Sequence, residues 1–230
     1  MNVRRLILRE PWHLELESAE QGPLPADHVR VRVAAAGICA SDVHGYAGRS
    51  GRRAPGTVMG HEVAGIVTEI GGEVTTIAAG NHVVINPVVW CGSCTSCRAG
   101  LTHLCAHRRL YGCTPALPGG FADELVARAT NVQPVDEDLP FELATLIEPL
   151  AVGIHAAARA LIEPEETTLV VGGGMIGLAA ALAATGRLAE VTMAEPDPQR
   201  SATARRLGIE CQHPDDVEGP FSVVLECVGA

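Results

Sequence analysis

The chain has 230 residues, 47% of them hydrophobic and 3% aromatic, and a formal net charge of −10 at pH 7. This length allows one large domain or two small ones. The acidic balance, without a long run of Lys or Arg, argues against a nucleic-acid-binding surface. The amino terminus, MNVRRLILREPWHLEL, has neither a long apolar core nor a small-residue cleavage site. We therefore expect a cytoplasmic protein with reduced thiols, no membrane association and a small-molecule partner.

Three strands are predicted in the first half of the chain. Residues 28–33, HVRVRV, alternate apolar and basic side chains, which predicts a strand with one solvent-facing side. Residues 62–70 and 82–89 are further β-rich runs, separated by glycine-containing turns. The first part of the chain is therefore predicted to be β-rich, with short strands, Gly/Pro turns and one cysteine loop.

The pattern changes near residue 141 to an alternation of helices and strands. Residues 141–161 are rich in Ala and Leu and predict a helical segment interrupted at Pro149. Beyond it we predict strands at 167–171, 190–194 and 221–227, and helices at 176–185 and 198–207. This alternation predicts a parallel, doubly wound sheet, so we place a domain boundary near residue 150 and expect domains at 1–150 and 151–230. The most apolar window, 175–185, is too short to span a bilayer.

The cysteine loop at residues 91–105 has the spacing Cys-x2-Cys-x2-Cys-x7-Cys. Thiolates at such gaps converge on one tetrahedral ion at about 2.3 Å, as zinc prefers, and four of them leave no open position. Ferredoxin-type iron–sulfur loops share the x2-x2 start, but their last gap is x3 and a proline follows. Two disulfides suit a secreted chain. We therefore predict a structural zinc lobe with the ligands Cys91, Cys94, Cys97 and Cys105.

Three cysteines that lie C-terminal to the cysteine loop are predicted to be small buried apolar side chains rather than reactive groups. They are Cys113, Cys211 and Cys227.

A glycine turn, TLVVGGGMIG at residues 168–177, lies between a predicted strand and a predicted helix. Glycines in this pattern permit a tight turn and let a pyrophosphate approach the helix N-terminus. Glu195 closes the next strand, where a carboxylate accepts hydrogen bonds from the adenosine ribose and repels a 2′-phosphate. An α/β turn that uses glycine for packing alone is the alternative. We predict an NAD site with the residues Gly172, Gly174, Met175, Ile176, Gly177, Glu195 and Arg200.

Two N-terminal segments, GICASDVHGY at 37–46 and GHEVAG at 60–65, hold the candidates for chemistry. Their soft and hard ligands suit a catalytic zinc with an open position. Spacing alone leaves this metal site undecided, because the ligands are distant in sequence and adjacent His61 and Glu62 cannot both face one metal from a regular strand. The candidates are Cys39, Ser41, Asp42, His44, His61 and Glu62.

The motifs GICASDVH, GHE, the four-cysteine loop, IEPLAVGIHA and VVGGGMIG together resemble the zinc-dependent medium-chain alcohol dehydrogenases. Within that family the chain is most similar to the polyol, sorbitol and threonine dehydrogenase branch, from about residue 1 to its end. The resemblance implies a GroES-like β-barrel catalytic domain followed by an incomplete Rossmann domain. It also implies zinc- and NAD-dependent oxidation of a secondary alcohol and a homo-oligomeric whole protein.

The resemblance carries ligand roles onto four positions. Cys39, His61 and Glu62 match the catalytic zinc ligands, with Glu62 direct or exchanging with water. Glu148 stands where the alcohol dehydrogenases proper have a cysteine, and a carboxylate there is typical of the polyol and threonine branch and reaches the metal through water.

Three further positions match residues that serve the reaction. Asp42 matches the residue that orients the ligand histidine. Ser41 matches the hydroxyl that takes the substrate proton, and His44 matches the relay toward solvent. From the residues alone, Ser41 is a turn or N-cap serine and His44 a surface histidine.

The chain departs from the family pattern in length and at Asn81. Family members run longer by about a hundred residues, and residues 221–230 match the fourth strand of the nucleotide domain. The strand order 3-2-1-4-5-6 leaves that apolar strand as an unprotected edge without the usual dimer contact, so we expect this chain to associate and to turn over little. The alternative function is a catalytically inactive, zinc-binding remnant that binds a ligand or partner. Asn81 stands where the family has Asp.

Overall fold

The computed structural model describes residues 2–229, which form two compact units. The first unit ends at Ile147 and the second begins at Glu148, close to the boundary expected near residue 150.

The first unit is built mainly from short antiparallel strands. Its sheets have the orders β10-β6-β5-β3-β9 and β2-β1-β4, and β7 pairs with β8. Its helices are α1 (Ala40–Tyr46), α2 (Thr95–Arg98) and α3 (Phe141–Ala144). Its strands are β1 (Asn2–Glu10), β2 (His13–Glu20), β3 (His28–Gly37), β4 (Thr57–Val58), β5 (Glu62–Ile70), β6 (His82–Ile85), β7 (Val88–Val89), β8 (Arg109–Leu110), β9 (Glu124–Arg128) and β10 (Val132–Pro134).

The core of this unit lies on the five-stranded sheet, where valines of β3 pack against valines of β5. The two strands are antiparallel, and their register pairs Val31 with Val67 and Gly37 with Glu62. The end of β3 therefore lies beside the start of β5. This register brings residues 37–46 next to residues 60–65, the two segments that hold the candidate ligands.

The predicted solvent-facing side of β3 is wrong at Arg30, which is 5% exposed. Its Nε donates to Glu69 Oε2 at 2.9 Å and its Nη2 donates to the carbonyl oxygen of Gly22 at 2.9 Å. A register shift between Arg30 and Val31 interrupts the two-residue alternation on which the prediction depended.

The strand predicted at residues 82–89 is two strands, β6 and β7. Asn86 and Pro87 separate them: the Asn86 side chain accepts a hydrogen bond from the Val88 N–H at 3.0 Å, and proline has no N–H to give to a ladder.

The helical segment predicted at residues 141–161 breaks earlier than expected. It consists of α3 and α4 (Ile147–Arg159), and Pro149 lies in the first turn of α4, where a missing N–H costs nothing. The stretch Phe141–Arg159 also has the length and apolar composition of a membrane span. It has 19 residues, and its apolar 18-residue segment has a mean hydropathy of 1.3 and is 28% buried. Core helices of soluble proteins pass the same test, so this is weak evidence for a span.

The second unit contains the predicted parallel sheet, with the strand order β13-β12-β11-β14. This is the 3-2-1-4 part of the doubly wound order. Cys211 is buried in its core and Cys227 packs against it, as predicted for apolar roles. The short strand β13 was not predicted. After α4, the elements of the second unit are β11 (Thr167–Val171), α5 (Met175–Thr185), β12 (Glu190–Ala194), α6 (Pro198–Arg206), β13 (Glu210–Gln212) and β14 (Val223–Glu226).

Candidate metal and cofactor sites

The four thiols of the cysteine loop converge on one point, with all four Sγ atoms within 4.8 Å of one another. Cys97 Sγ lies 3.9 Å from that of Cys91 and 3.5 Å from that of Cys94, and Cys105 Sγ lies 3.6 Å from that of Cys91. Sulfurs bound tetrahedrally at 2.3 Å from zinc stand about 3.8 Å apart, whereas a disulfide requires about 2.05 Å. All eight cysteines are free thiols. The loop therefore fits a closed zinc site and does not fit two disulfides.

Local backbone structure prepares these thiols for a cation. Hydrogen bonds from the backbone N–H groups of Ser93 and Cys94 lower the pKa of the Cys91 thiol to about 5. Loss of hydration, together with the neighbouring Cys94, raises the pKa of Cys97 to about 12. The four sulfurs resist carrying four negative charges at this spacing, and a divalent ion at their centre would relieve that repulsion.

A second cluster joins Cys39, His61 and Glu62, whose ligand atoms also lie within 4.8 Å of one another. His61 and Glu62 are 8% and 7% exposed. His61 and Glu62 can face one metal, contrary to the expectation for two neighbours in a regular strand, because His61 precedes β5 and only Glu62 belongs to it. Gly37 makes room for the carboxylate: a Cβ at position 37 would overlap Glu62 Oε2.

The Asp42 carboxylate lies beside the Nδ1 nitrogen of His61. Asp42 Oδ2 is 3.4 Å from His61 Nδ1 and accepts a hydrogen bond from the Cys39 backbone N–H at 3.3 Å. Since Nδ1 faces Asp42, Nε2 is left as the ligand atom, which is how histidine ligands are usually oriented. The carboxylate itself is 1% exposed.

The charges of this cluster favour a cation. Burial works against a charged His61, yet hydrogen bonds to Asp42 and Cys39 raise its pKa to about 10. The hydrogen bond from His61 lowers the pKa of the Cys39 thiol, and burial raises the pKa of Glu62. These shifts favour the charged forms of Cys39 and His61. A zinc ion would take the place of the imidazolium proton, so the donor set fits zinc with an open fourth position.

The predicted proton-transfer residues lie on α1, which begins one residue after Cys39. Ser41 is half-buried, and its Oγ accepts a hydrogen bond from Arg53 Nη2 at 3.3 Å. His44 is exposed in the last turn. Their roles stay predictions, as does the ligand role of Glu148, which lies in the first turn of α4 in the second unit. Sequence reasoning missed Arg53, because nothing in GRSGRRAPG indicates burial.

The glycine turn of the second unit has the shape expected of a dinucleotide site. Gly172 has a φ of +99°, which favours glycine, and Gly174 is the N-cap of α5. A Cβ at Gly177 would overlap the carbonyl oxygen of Gly172, so the third glycine allows close packing of helix and strand. Met175 and Ile176 form the first turn of α5.

Glu195 follows β12 and is buried. Its carboxylate accepts hydrogen bonds from the backbone N–H of Gly173 at 2.6 Å and of Asp197 at 2.8 Å. Arg200 Nη1 lies 4.0 Å from Glu195 Oε2. These contacts hold the Glu195 carboxylate against the glycine turn, at the end of the strand where the sequence predicts it.

A β-rich unit with two clusters of potential metal ligands and a unit with a parallel sheet and a glycine turn are the parts expected of the two-domain class of zinc-dependent dehydrogenases. Residues 25–137 match the alcohol dehydrogenase GroES-like domain. The D-altritol 5-dehydrogenase of Agrobacterium fabrum is 40% identical over 192 residues, which are 81% of this chain and 56% of that enzyme. The chain belongs to the zinc-dependent medium-chain alcohol dehydrogenase family.

Solved structures agree with this assignment. A protein of Sinorhizobium meliloti 1021 described as a zinc-binding dehydrogenase, bound to NADP, has a TM-score of 0.92 at 27% identity, covering 100% of this chain and 71% of that one. An alcohol dehydrogenase of Escherichia coli CFT073, in complex with NADH, has a TM-score of 0.91 at 26% identity and covers 100% and 70%. The chain spans little more than half the length of the curated relative named above.

Proposed function

We propose that the whole protein oxidises a secondary alcohol of a polyol, sugar alcohol or threonine-like substrate and transfers the hydride to NAD. The Cys39–His61–Glu62 cluster carries this proposal: the sulfur, imidazole and carboxylate ligand atoms lie within 4.8 Å of one another, and Asp42 Oδ2 lies 3.4 Å from the imidazole Nδ1. Three ligands and a free position are typical of catalytic zinc, whereas the four thiolates of residues 91–105 leave none free. The cysteine loop therefore has a structural role.

The residues of the chain divide the work of the reaction. When bound, zinc supplies a Lewis acid that lowers the pKa of the alcohol hydroxyl. Cys39, His61 and Glu62 would hold the ion, and Glu148 would reach it through water. Ser41 would accept the hydroxyl proton, and His44, exposed on the same helix, would release a proton toward solvent.

The choice of NAD is argued from Glu195. A buried carboxylate held by two backbone N–H groups is fixed in position, so it accepts hydrogen bonds from a ribose hydroxyl and repels a phosphate placed there. The two solved structures described above contain NADP and NADH, which shows that this fold accepts both. Arg200, beside Glu195, is proposed as a further cofactor contact.

The setting of the protein is part of the proposal. Eight free thiols and a net charge of −10 support a cytoplasmic protein that acts on a small molecule and not on nucleic acid or membrane. For the whole protein we propose a homo-oligomer, as the family resemblance implies.

The test is a dehydrogenase assay on the whole protein as its gene encodes it, with D-altritol, sorbitol, threonine and ethanol, each with NAD and with NADP. We expect turnover of a polyol with NAD, and loss of turnover in His61→Ala. A strong preference for ethanol, or for NADP, would contradict the proposed substrate or cofactor. Zinc binding at both clusters without turnover of any alcohol would support the alternative, a metal-binding protein that is not an enzyme.

A further inference from the structure

Arg53 is a buried cation beside the metal cluster that the steps above leave without a role. Its side chain is 4% exposed. One nitrogen, Nη2, lies 3.0 Å from Asp42 Oδ1 and 3.3 Å from Ser41 Oγ. The guanidinium therefore touches both the carboxylate behind the ligand His61 and the hydroxyl proposed to accept the substrate proton.

The contact with Ser41 has a defined direction. A guanidinium has only donors, so Ser41 Oγ must be the acceptor in this hydrogen bond. One lone pair of the hydroxyl is then occupied, one is left to receive a proton, and the serine O–H must donate to a different group. Arg53 thus leaves the hydroxyl with one free lone pair, which can accept a proton, and with its own hydrogen directed to a different group.

The contact with Asp42 compensates a buried charge. A carboxylate that is 1% exposed is stable only when it is paired and hydrogen-bonded. Oδ2 faces His61 Nδ1, and Oδ1 faces Arg53. Once a divalent ion replaces the proton of His61, Arg53 is the neighbouring group that still carries a positive charge toward Asp42.

Gly45 gives independent support. It is the penultimate residue of α1 and has no left-handed backbone angle, so the helix itself does not require glycine there. Alanine is the better helix former. A Cβ at position 45 would overlap Arg53 Cγ and lie 3.2 Å from Arg53 Cβ. The missing side chain at position 45 therefore leaves free the space that the Arg53 side chain occupies beside α1.

We propose that Arg53 is a positioning residue that holds Asp42 against the ligand His61 and presents Ser41 as a proton acceptor, and that Gly45 is the space it needs. This inference rests on the proposed function, since it assigns Arg53 to the same site.

Cobalt binding to the purified protein tests it without an activity assay. The cysteine loop and the Cys39 cluster are each expected to bind one Co²⁺, and the visible absorption of the ion in the Cys39 cluster would report the geometry of its ligands. We expect Arg53→Met and Gly45→Ala to weaken binding of the second ion by about 10–100-fold and to change its spectrum. Arg53→Lys keeps the charge and is expected to lose less. Arg52→Met, an exposed neighbour, is the matched control and is expected to bind as the unaltered protein does.

The cysteine loop serves as an internal reference for folding, because it lies outside this network and should bind Co²⁺ equally in every variant. If Arg53→Met fails to fold, Gly45→Ala and Arg53→Lys carry the test. In the active whole protein, Arg53→Lys is further expected to lower kcat with little change in KM, because Ser41 acts on the proton.

The outcomes separate the two proposals. If the unaltered protein binds Co²⁺ only in the cysteine loop, the proposed function fails. If it binds two ions, and Arg53→Met and Gly45→Ala bind the second with unchanged affinity and spectrum, the role of Arg53 is wrong while the proposed function stands.

Discussion

Binding of zinc to the Cys39–His61–Glu62 cluster is expected to release one proton near neutral pH, and that proton comes from His61. In the metal-free protein the pKa of His61 is raised to about 10 from its ordinary 6.5, so the imidazole is charged at pH 7. The pKa of Cys39 is lowered, because His61 donates to its thiolate. The shift of Cys39 favours the thiolate that a metal needs, whereas the imidazole must first lose its proton.

The size of the competition follows from the pKa of His61. At pH 7 a proton held with a pKa of about 10 reduces the apparent zinc affinity by about three powers of ten, which is about 4 kcal/mol at 1.36 kcal/mol per pH unit. Since the proton is bound below the pKa and lost above it, the affinity must rise with pH. We expect a tenfold gain per pH unit between pH 7 and pH 9, levelling off near pH 10.

Isothermal titration calorimetry measures the number of protons released. The cysteine loop is loaded with one equivalent of zinc, and a second equivalent is titrated at pH 7, 8 and 9 in buffers of different ionisation enthalpy. One proton per zinc is expected. Two protons would show that Cys39 or Glu62 also carries a proton, and none would show that His61 is already neutral beside a Cys39 thiolate, so either result would refute the predicted release of a single proton.

Three further outcomes are expected. Cys94→Ser should abolish the zinc that resists mild chelation and lower the thermal midpoint, as measured by metal analysis and calorimetry; iron or no metal in the unaltered loop would contradict the assignment. Glu195→Ala should narrow the preference for NAD over NADP, measured by cofactor titration, and tighter NADP binding by the unaltered protein would refute the argument. Gly37→Ala should displace the Glu62 carboxylate and weaken the second metal site by at least tenfold, while Gly22→Ala, whose Cβ meets nothing within 4 Å, should not.

Elements defined by local pattern were predicted well from the sequence. The predicted strands at Glu62–Ile70, Thr167–Val171 and Glu190–Ala194 have the observed bounds. Each is an apolar, largely β-branched run that glycine or a charged residue ends, so the information lies within the segment itself. The parallel order of the second unit follows from the same alternation of strands and helices.

Burial of charged residues could not be predicted in this way. Arg30 is buried because Glu69, 39 positions away, and a backbone carbonyl receive its donors. Arg53 is buried because two residues of α1 receive it: Asp42 accepts its hydrogen bond, and Gly45 leaves space for its side chain. In both cases the local sequence is that of an ordinary solvated arginine, and the partner is supplied by the tertiary fold.

The same limit applies to the metal cluster, whose ligands the sequence offered without bringing them together. Antiparallel pairing of Gly37 with Glu62 brings the ligands together, because it places the loop after β3 beside the start of β5. The enclosed groups then comprise three acidic side chains, Cys39, Asp42 and Glu62, against one permanent cation, Arg53. Ionisation of all three leaves an excess of negative charge that a proton on His61 offsets only in part, and burial raises the pKa of the Glu62 carboxyl. A divalent cation removes the whole excess, and for that reason the charge balance of the cluster favours a metal ion rather than a structural ion-pair network.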